Sequence, residues 1–267
     1  IYFDALVQEH AVASGAEFCR AQAKEPVVED GRVVGVRAQV NGSVNEIRAK
    51  LVIGADGVTS VIARNLRPKD KQHVDSHRAV ALRAYIDDIE EFPQEVEFYL
   101  YKDILPGYAW IFPLGKNKAN VGLGMRLDHF RKRKYSLEKM LKDFLAMPAI
   151  KKRLLRGGQL RDVATWQLNF GSQQNLQHVF DGALLVGDAA GFINPLTGGG
   201  IHNGLVSADL AAEVGDIDDG SGQSRGGEAV QSAIEQGPAG DADQWLRQRF
   251  GDRPHALAEA GGEHHSG

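Results

Sequence analysis

Leu51-Val52-Ile53-Gly54-Ala55-Asp56-Gly57 is a short apolar run closed by a Gly/Asp turn, and Val58 to Leu66 then reads as a helix. A continuous apolar run of this length is the pattern of a strand buried on both faces of a parallel sheet. Far along the chain, Ala183-Leu184-Leu185-Val186 repeats it and runs into Gly187-Asp188-Ala189-Ala190-Gly191, with a helix expected from about Gly199 to Val214. Open α/β sheets bind ligands beyond the carboxyl ends of their strands, and here two strands each deliver an aspartate to that edge. The fold class is therefore α/β.

Working outward, Phe3 to Ser14 has apolar residues at helical spacing, and Gly15 stops the helix. Residues 16–23 read as a strand. Val33–Val40 and Val44–Ala49 read as a hairpin across Asn41-Gly42, because both turn residues tolerate positive φ. Segments 78–87, 94–101, 108–113 and 119–127 read as an antiparallel sheet. Residues 136–156 read as two helices broken near Met147-Pro148. After Val214 the composition shifts to Gly, Asp, Gln and Ser, so residues 215–267 are expected to be a low-complexity, disordered tail. A change of reading frame near Gly215 would produce that switch, and sequencing the source DNA tests it.

The bulk properties bound the partners. The chain has 267 residues and a formal net charge of −4, which gives no electrostatic argument for nucleic acid. Its single cysteine, Cys19, excludes an internal disulfide, favours a reducing compartment and is expected to be packed in a strand. No spaced metal-ligand set is visible, so no metal is expected. No apolar run approaches the ~18 residues of a membrane span. Nothing in the sequence fixes an oligomeric state.

Three constellations carry chemistry. In the first, Gly54 allows close backbone approach, and Asp56 can accept from ligand hydroxyls or cap the following helix. In the second, Asp188 stands at a strand end, and Asn194-Pro195-Leu196-Thr197-Gly198-Gly199-Gly200-Ile201 precedes a helix. Backbone N–H groups left unshielded by the three glycines, with the helix dipole, suit negative charge. In the third, Tyr108, Trp110 and Phe112 alternate along a strand and so share one face. They form either an apolar ligand wall, with Gly122 and Gly124 leaving space on the next strand, or core filling between sheet and helices.

Gly54-Ala55-Asp56-Gly57-x-x-Ser60-x-x-x-Arg64 resembles the second FAD motif of the flavoprotein hydroxylase superfamily, and Gly187-Asp188-Ala189-Ala190-Gly191 with Pro195 and Gly198–Ile201 resembles its third. Tyr108-Ala109-Trp110-Ile111-Phe112-Pro113, followed by Gly122-Leu123-Gly124, is similar to the signature of geranylgeranyl reductases within it. The resemblance spans residue 1 to about 214. It implies FAD, with Asp188 on the ribityl chain, Leu196–Gly200 including Thr197 along the flavin edge, and Asp56 and Gly57 near the pyrophosphate. It implies an incomplete FAD-binding domain over 1–70 and 180–214 and a substrate-binding region over 71–179.

The implied reaction is hydrogenation of C=C bonds in a geranylgeranyl chain on a lipid or chlorophyll precursor, with NAD(P)H or ferredoxin as donor. The implied setting is cytoplasmic with peripheral membrane contact. Arg131-Lys132-Arg133-Lys134 could meet anionic head groups but reads more simply as a solvated turn. His202 reads as an exposed residue at a helix start.

The superfamily's Gly-x-Gly-x-x-Gly turn is absent, the nearest string being Gly198-x-Gly200-x-x-Asn203. That keeps a non-enzymatic fragment without FAD as one rival. A flavin monooxygenase of aromatic or quinone substrates is another. A flavin halogenase is weaker, because its Trp-x-Trp-x-Ile-Pro signature is missing.

Overall fold

In the computed structural model, residues 2–89, 95–115, 117–154 and 158–217 are described. Helix α1 (Tyr2–Ala13) ends at Gly15, whose φ of +102° lies where only glycine is unstrained. Its apolar residues Phe3, Leu6, Val7 and Val12 are exposed. Three strands follow, β1 (Gln22–Glu29), β2 (Arg32–Val40) and β3 (Ser43–Arg48), paired antiparallel in that order. Asn41 and Gly42 join β2 to β3 with φ of +50° and +87°, the geometry that the Asn-Gly pair predicts.

The strand expected at 16–23 is displaced. Residues 16–21 form no strand, and β1 begins at Gln22 and runs through Pro26. Proline cannot donate to a ladder, but β1 is an edge strand with register shifts on both sides of Pro26. Cys19, expected in a packed strand, lies in the exposed connection instead.

Strand β4 (Val52–Gly54) leads to helix α2 (Val61–Leu66), which Ser60 caps by accepting from Ala63 N at 2.9 Å. A larger sheet contains β5 (Arg78–Asp87), β6 (Glu97–Tyr99), β7 (Gly107–Pro113) and β8 (Lys118–Arg126). Short α3 (Leu127–Phe130), α4 (Leu137–Leu145) and α5 (Pro148–Lys151) follow, with Pro148 opening α5 as the Met147-Pro148 break predicts. Leu137, Met140, Leu141, Phe144 and Leu145 recur on one face of α4 and are all buried.

They pack on Leu82, Ala84, Ile86, Ala109, Ile111, Val121 and Leu123, each 0% exposed, and this is the main core. Strand β9 (Leu160–Asn169) completes the sheet in the order β6-β7-β8-β5-β9. No strand is expected at 160–169 from the sequence, although Ala164, Trp166 and Leu168 alternate with Thr165, Gln167 and Asn169; most of the strand is exposed, so the alternation marks no buried face.

Strands β10 (Val179–Phe180) and β11 (Ala183–Leu185) close a small mixed sheet, β10-β11-β4, in which β11 and β4 are parallel. Helix α6 (Gly187–Ala190) and helix α7 (Ile201–Ile217) complete the described chain. The helix expected to end near Val214 thus extends into the compositional tail, and the rest of that tail, 218–267, lies outside the described residues. The mixed sheet and the antiparallel sheet with helices on one face are the α/β arrangement that the sequence predicts.

Candidate active site

Parallel pairing sets Gly54 of β4 beside Leu185 of β11, so the two Gly/Asp turns open at one edge of the small sheet. Gly54 is needed for packing here. A Cβ on it would lie 2.7 Å from Leu185 Cδ2 and 3.1 Å from Ile62 Cβ, so its bareness lets α2 close on the strands.

The Asp56 carboxylate accepts from Ser60 Oγ at 2.5 Å and Val61 N at 2.6 Å. Of the two roles open to Asp56, the structure shows the helix cap. Gly57 makes the turn with φ +77°. Asp56 and Gly57 therefore shape this edge, with Asp56 already engaged.

Asp188 is different. Among the described residues its carboxylate accepts no hydrogen bond, and burial pushes its pKa up. It stands on α6 directly after Gly187, whose φ is +54° and whose N–H donates to Ser207 Oγ at 3.0 Å. Gly200 closes on it, since a Cβ at Gly200 would lie 3.0 Å from Asp188 Oδ1. A half-buried carboxylate with spare lone pairs beside a bare glycine suits a ligand offering hydroxyl donors.

The loop before α7 is held by Asn194. Its Oδ1 accepts from Leu196 N at 2.9 Å and Thr197 N at 3.1 Å. This corrects the expectation that the glycine N–H groups stand unshielded. Gly198 N donates to Asn194 O at 2.9 Å and Gly199 N to Thr197 Oγ1 at 3.2 Å. Among the described residues, only Gly200 of the three keeps its N–H without an acceptor. Pro195, Leu196, Thr197, Gly199 and Ile201 are exposed, Ile201 at 73%. His202, expected to be exposed, is half-buried with both ring nitrogens out of solvent.

Tyr108, Trp110 and Phe112 lie on the sheet face opposite the helices, while Ala109 and Ile111 between them point into the core. They therefore do not fill the helix-side core. Phe98 of β6 joins them edge-on, 5.3 Å from Tyr108 and 5.4 Å from Phe112 between ring centroids. Trp166 of β9, 62% exposed, shares this face through its pairing with Ala81. Neither Phe98 nor Trp166 was legible as a site residue, because each needs the sheet order to reach the wall.

Gly122 does not leave free space as expected. The Trp110 ring covers it, and a Cβ there would lie 2.3 Å from Trp110 Cζ2. Trp110 Nε1 is fixed by donating to Asn120 Oδ1 at 2.9 Å. Gly124 faces Tyr108 across the pairing of β7 with β8, and Pro113 ends β7 opposite Ala119. The wall and the glycine loop meet directly, since Tyr108 Oη donates to Thr197 O at 2.7 Å. The second and third constellations thus converge on one site.

Residues 77–156, which include Phe98, Tyr108, Trp110 and Phe112 of this wall, match the family described as the geranylgeranyl reductase catalytic domain. Digeranylgeranylglycerophospholipid reductase 2 of Methanopyrus kandleri is 35% identical over 226 residues, covering 79% of this chain and 53% of the relative. The chain belongs to the geranylgeranyl reductase family.

The Methanosphaerula palustris digeranylgeranylglycerophospholipid reductase is 37% identical over 218 residues, with 79% of this chain and 51% of the relative covered. Among solved structures, a geranylgeranyl bacteriochlorophyll reductase-like protein from Thermoplasma acidophilum aligns with TM-score 0.72 and 28% identity, over 93% of this chain and 59% of that one. The flavin-dependent brominase Bmp2 aligns with TM-score 0.74 at 19% identity, over 97% and 67%, which is a likeness of fold alone. The chain spans about half the length of the geranylgeranyl reductase family relatives it matches. Among the described residues no helix is long and apolar enough to cross a membrane, and no cluster of metal-ligating side chains occurs.

Proposed function

We propose that this chain is the catalytic and flavin-edge portion of an FAD-dependent reductase that saturates C=C bonds of geranylgeranyl chains on a glycerophospholipid. The observation that carries the reading is the Tyr108–Thr197 hydrogen bond, which sets an apolar aromatic wall against the glycine loop. Asp188 has the free acceptors to hold ribityl hydroxyls, and Pro195 to Ile201, with Gly198, Gly199 and Gly200 bare, form the edge for the flavin ring. Bound reduced FAD would supply hydride, while the protein supplies orientation and electrostatics.

Phe98, Tyr108, Trp110, Phe112 and Trp166 then position the prenyl chain and keep water from it. The relatives' names favour a phospholipid over a chlorophyll precursor as the carrier. A membrane-borne substrate implies peripheral membrane contact, and exposed Leu196 and Ile201 beside the site are apolar enough for it. The electron donor is of the NAD(P)H or ferredoxin class.

The test is anaerobic turnover of FAD-loaded protein with dithionite and a geranylgeranylated glycerophospholipid, read by mass spectrometry. Gain of two hydrogens per double bond is expected. An oxygenated product formed in air, with no hydrogenation under anaerobic conditions, would favour the monooxygenase alternative.

A further inference from the structure

Arg67 is 4% exposed, yet among the described residues no carboxylate pairs with it. Its Nε donates to Gln177 O at 2.8 Å. One terminal nitrogen reaches Ala190 O and His178 Nδ1, both at 3.0 Å, and the other lies 3.4 Å from His73 Nδ1. Guanidinium only donates, so each Nδ1 accepts and each ring carries its proton on Nε2. Burial first, then the Arg67 charge, lowers His73 to about 4 and His178 to about 3, so both stay neutral. The described residues therefore bury a cation without supplying its counter-charge, an arrangement that is costly unless an anion joins it.

Arg67 lines a cleft of about 290 Å³ with Ser60, Gln72, His73, Arg78 and Asn169. Among the described residues, three buried atoms on the residues that line it have no hydrogen-bond partner: His73 Nε2, Arg78 Nε and Asn169 Oδ1. Asn169 is 6% exposed, and its Nδ2 donates to Val58 O at 3.1 Å. A carbonyl can only accept, so the amide orientation is fixed and Oδ1 is the acceptor left over. The nearby carboxylates do not neutralise the cleft. Asp56 is turned to the start of α2, and Asp75 lies 3.9 Å from Arg78 while also pairing with Arg131.

We propose that this cleft binds a phosphate group that retains a proton, either free phosphate or a phosphate monoester. Its anionic oxygens accept from His73 Nε2–H and Arg78 Nε–H and offset the Arg67 charge. Its P–OH donates to Asn169 Oδ1. Water could satisfy the orphan atoms but not the buried charge. Sulfate and phosphodiesters are ionised without a remaining hydroxyl at neutral pH, so the same acceptor discriminates against them. The inference stands on the cleft alone and does not rest on the prenyl-reductase reading.

Calorimetric titration of the full chain with inorganic phosphate, sulfate and glycerol 1-phosphate tests it at pH 6, where about half of a monoester keeps its second proton. A saturable one-to-one heat with phosphate is expected, at least about tenfold tighter than with sulfate, because sulfate leaves Asn169 Oδ1 unpaired. Arg78→Gln, with folding checked by circular dichroism, should weaken phosphate about tenfold. Asn169→Ala should level phosphate and sulfate, a ratio that a general loss of packing does not change. Glycerol phosphate binding as well as phosphate supports a monoester ligand, and its exclusion supports the free ion. No saturable phosphate heat, or equal affinities for phosphate and sulfate in the unaltered chain, overturns the proposal.

Discussion

Tyr108 Oη donates to Thr197 O at 2.7 Å across 89 positions of sequence. The bond ties β7, whose other face is anchored in the main core, to a loop that Asn194 and its own turns also hold. A Cβ at Gly198 would lie 2.8 Å from the same hydroxyl, so the loop approaches the ring as closely as glycine permits. Two motifs that are separate in sequence become one site through this contact.

Tyr108→Phe keeps the ring and removes the bond. A net loss of about 0.5–1.5 kcal/mol is expected, confined to the loop. Hydrogen–deuterium exchange should therefore speed up at residues 196–199 while the α4 core stays protected. Unchanged exchange in the loop would show that Asn194 holds it unaided.

Gly122→Ala places a methyl group against the Trp110 ring and 2.4 Å from Leu82 O. The ring can move only by giving up its bond to Asn120, and the carbonyl belongs to β5, so overpacking should cost about 1–3 kcal/mol. Urea unfolding reads this as a lower midpoint at unchanged slope. Measured against Trp110→Ala alone, Gly122→Ala should cost less, and the part that persists belongs to the Leu82 carbonyl, which separates the ring from the backbone as the source of strain.

Asp188→Asn removes the charge but keeps the shape of the side chain. If Asp188 holds ribityl hydroxyls, FAD added to the chain and then desalted should be retained at least about tenfold less well than by the unaltered chain, since a charged acceptor is lost. Visible absorption after desalting gives the occupancy. Equal flavin retention by both chains would remove Asp188 from the cofactor site.

Much of this architecture is legible because it depends on local chemistry. Asn41-Gly42 dictates its hairpin, Met147-Pro148 its helix break, and the two apolar runs ending in Gly and Asp their parallel pair, although only β11 is buried on both faces and Ile53 of β4 is 45% exposed. Strand β9 carries a period-two signal only over Ala164 to Asn169, and the Trp166 side of it is exposed, so the segment does not read as a core strand. Asp56 could be weighed only as cap or ligand until its bonds to Ser60 and Val61 were seen. The Arg67 cluster is beyond sequence reasoning altogether. Apart from His73, six positions on, its partners lie 110 or more positions away, and a buried arginine looks like any surface one until its neighbours are placed.

That cluster also gives the protein an acid-sensitive element. His73 and His178 are held at about 4 and 3, below the value near 6.5 expected once they are exposed by unfolding. Between about pH 6.5 and 4 the unfolded chain therefore binds up to two protons that the folded chain excludes. Stability rises with pH wherever the unfolded state holds more protons, so these histidines leave it intact above about 6.5 and lower it as the solution is acidified. The slope is at most about 1.4 kcal/mol per pH unit for each ring. Thermal unfolding followed from pH 7.5 to 4.5 should show Tm falling below about 6.5. His178→Gln can still accept from Arg67 but cannot titrate, so it should flatten that fall relative to the unaltered chain. An equally steep fall in the variant would place the acid sensitivity in the carboxylates instead.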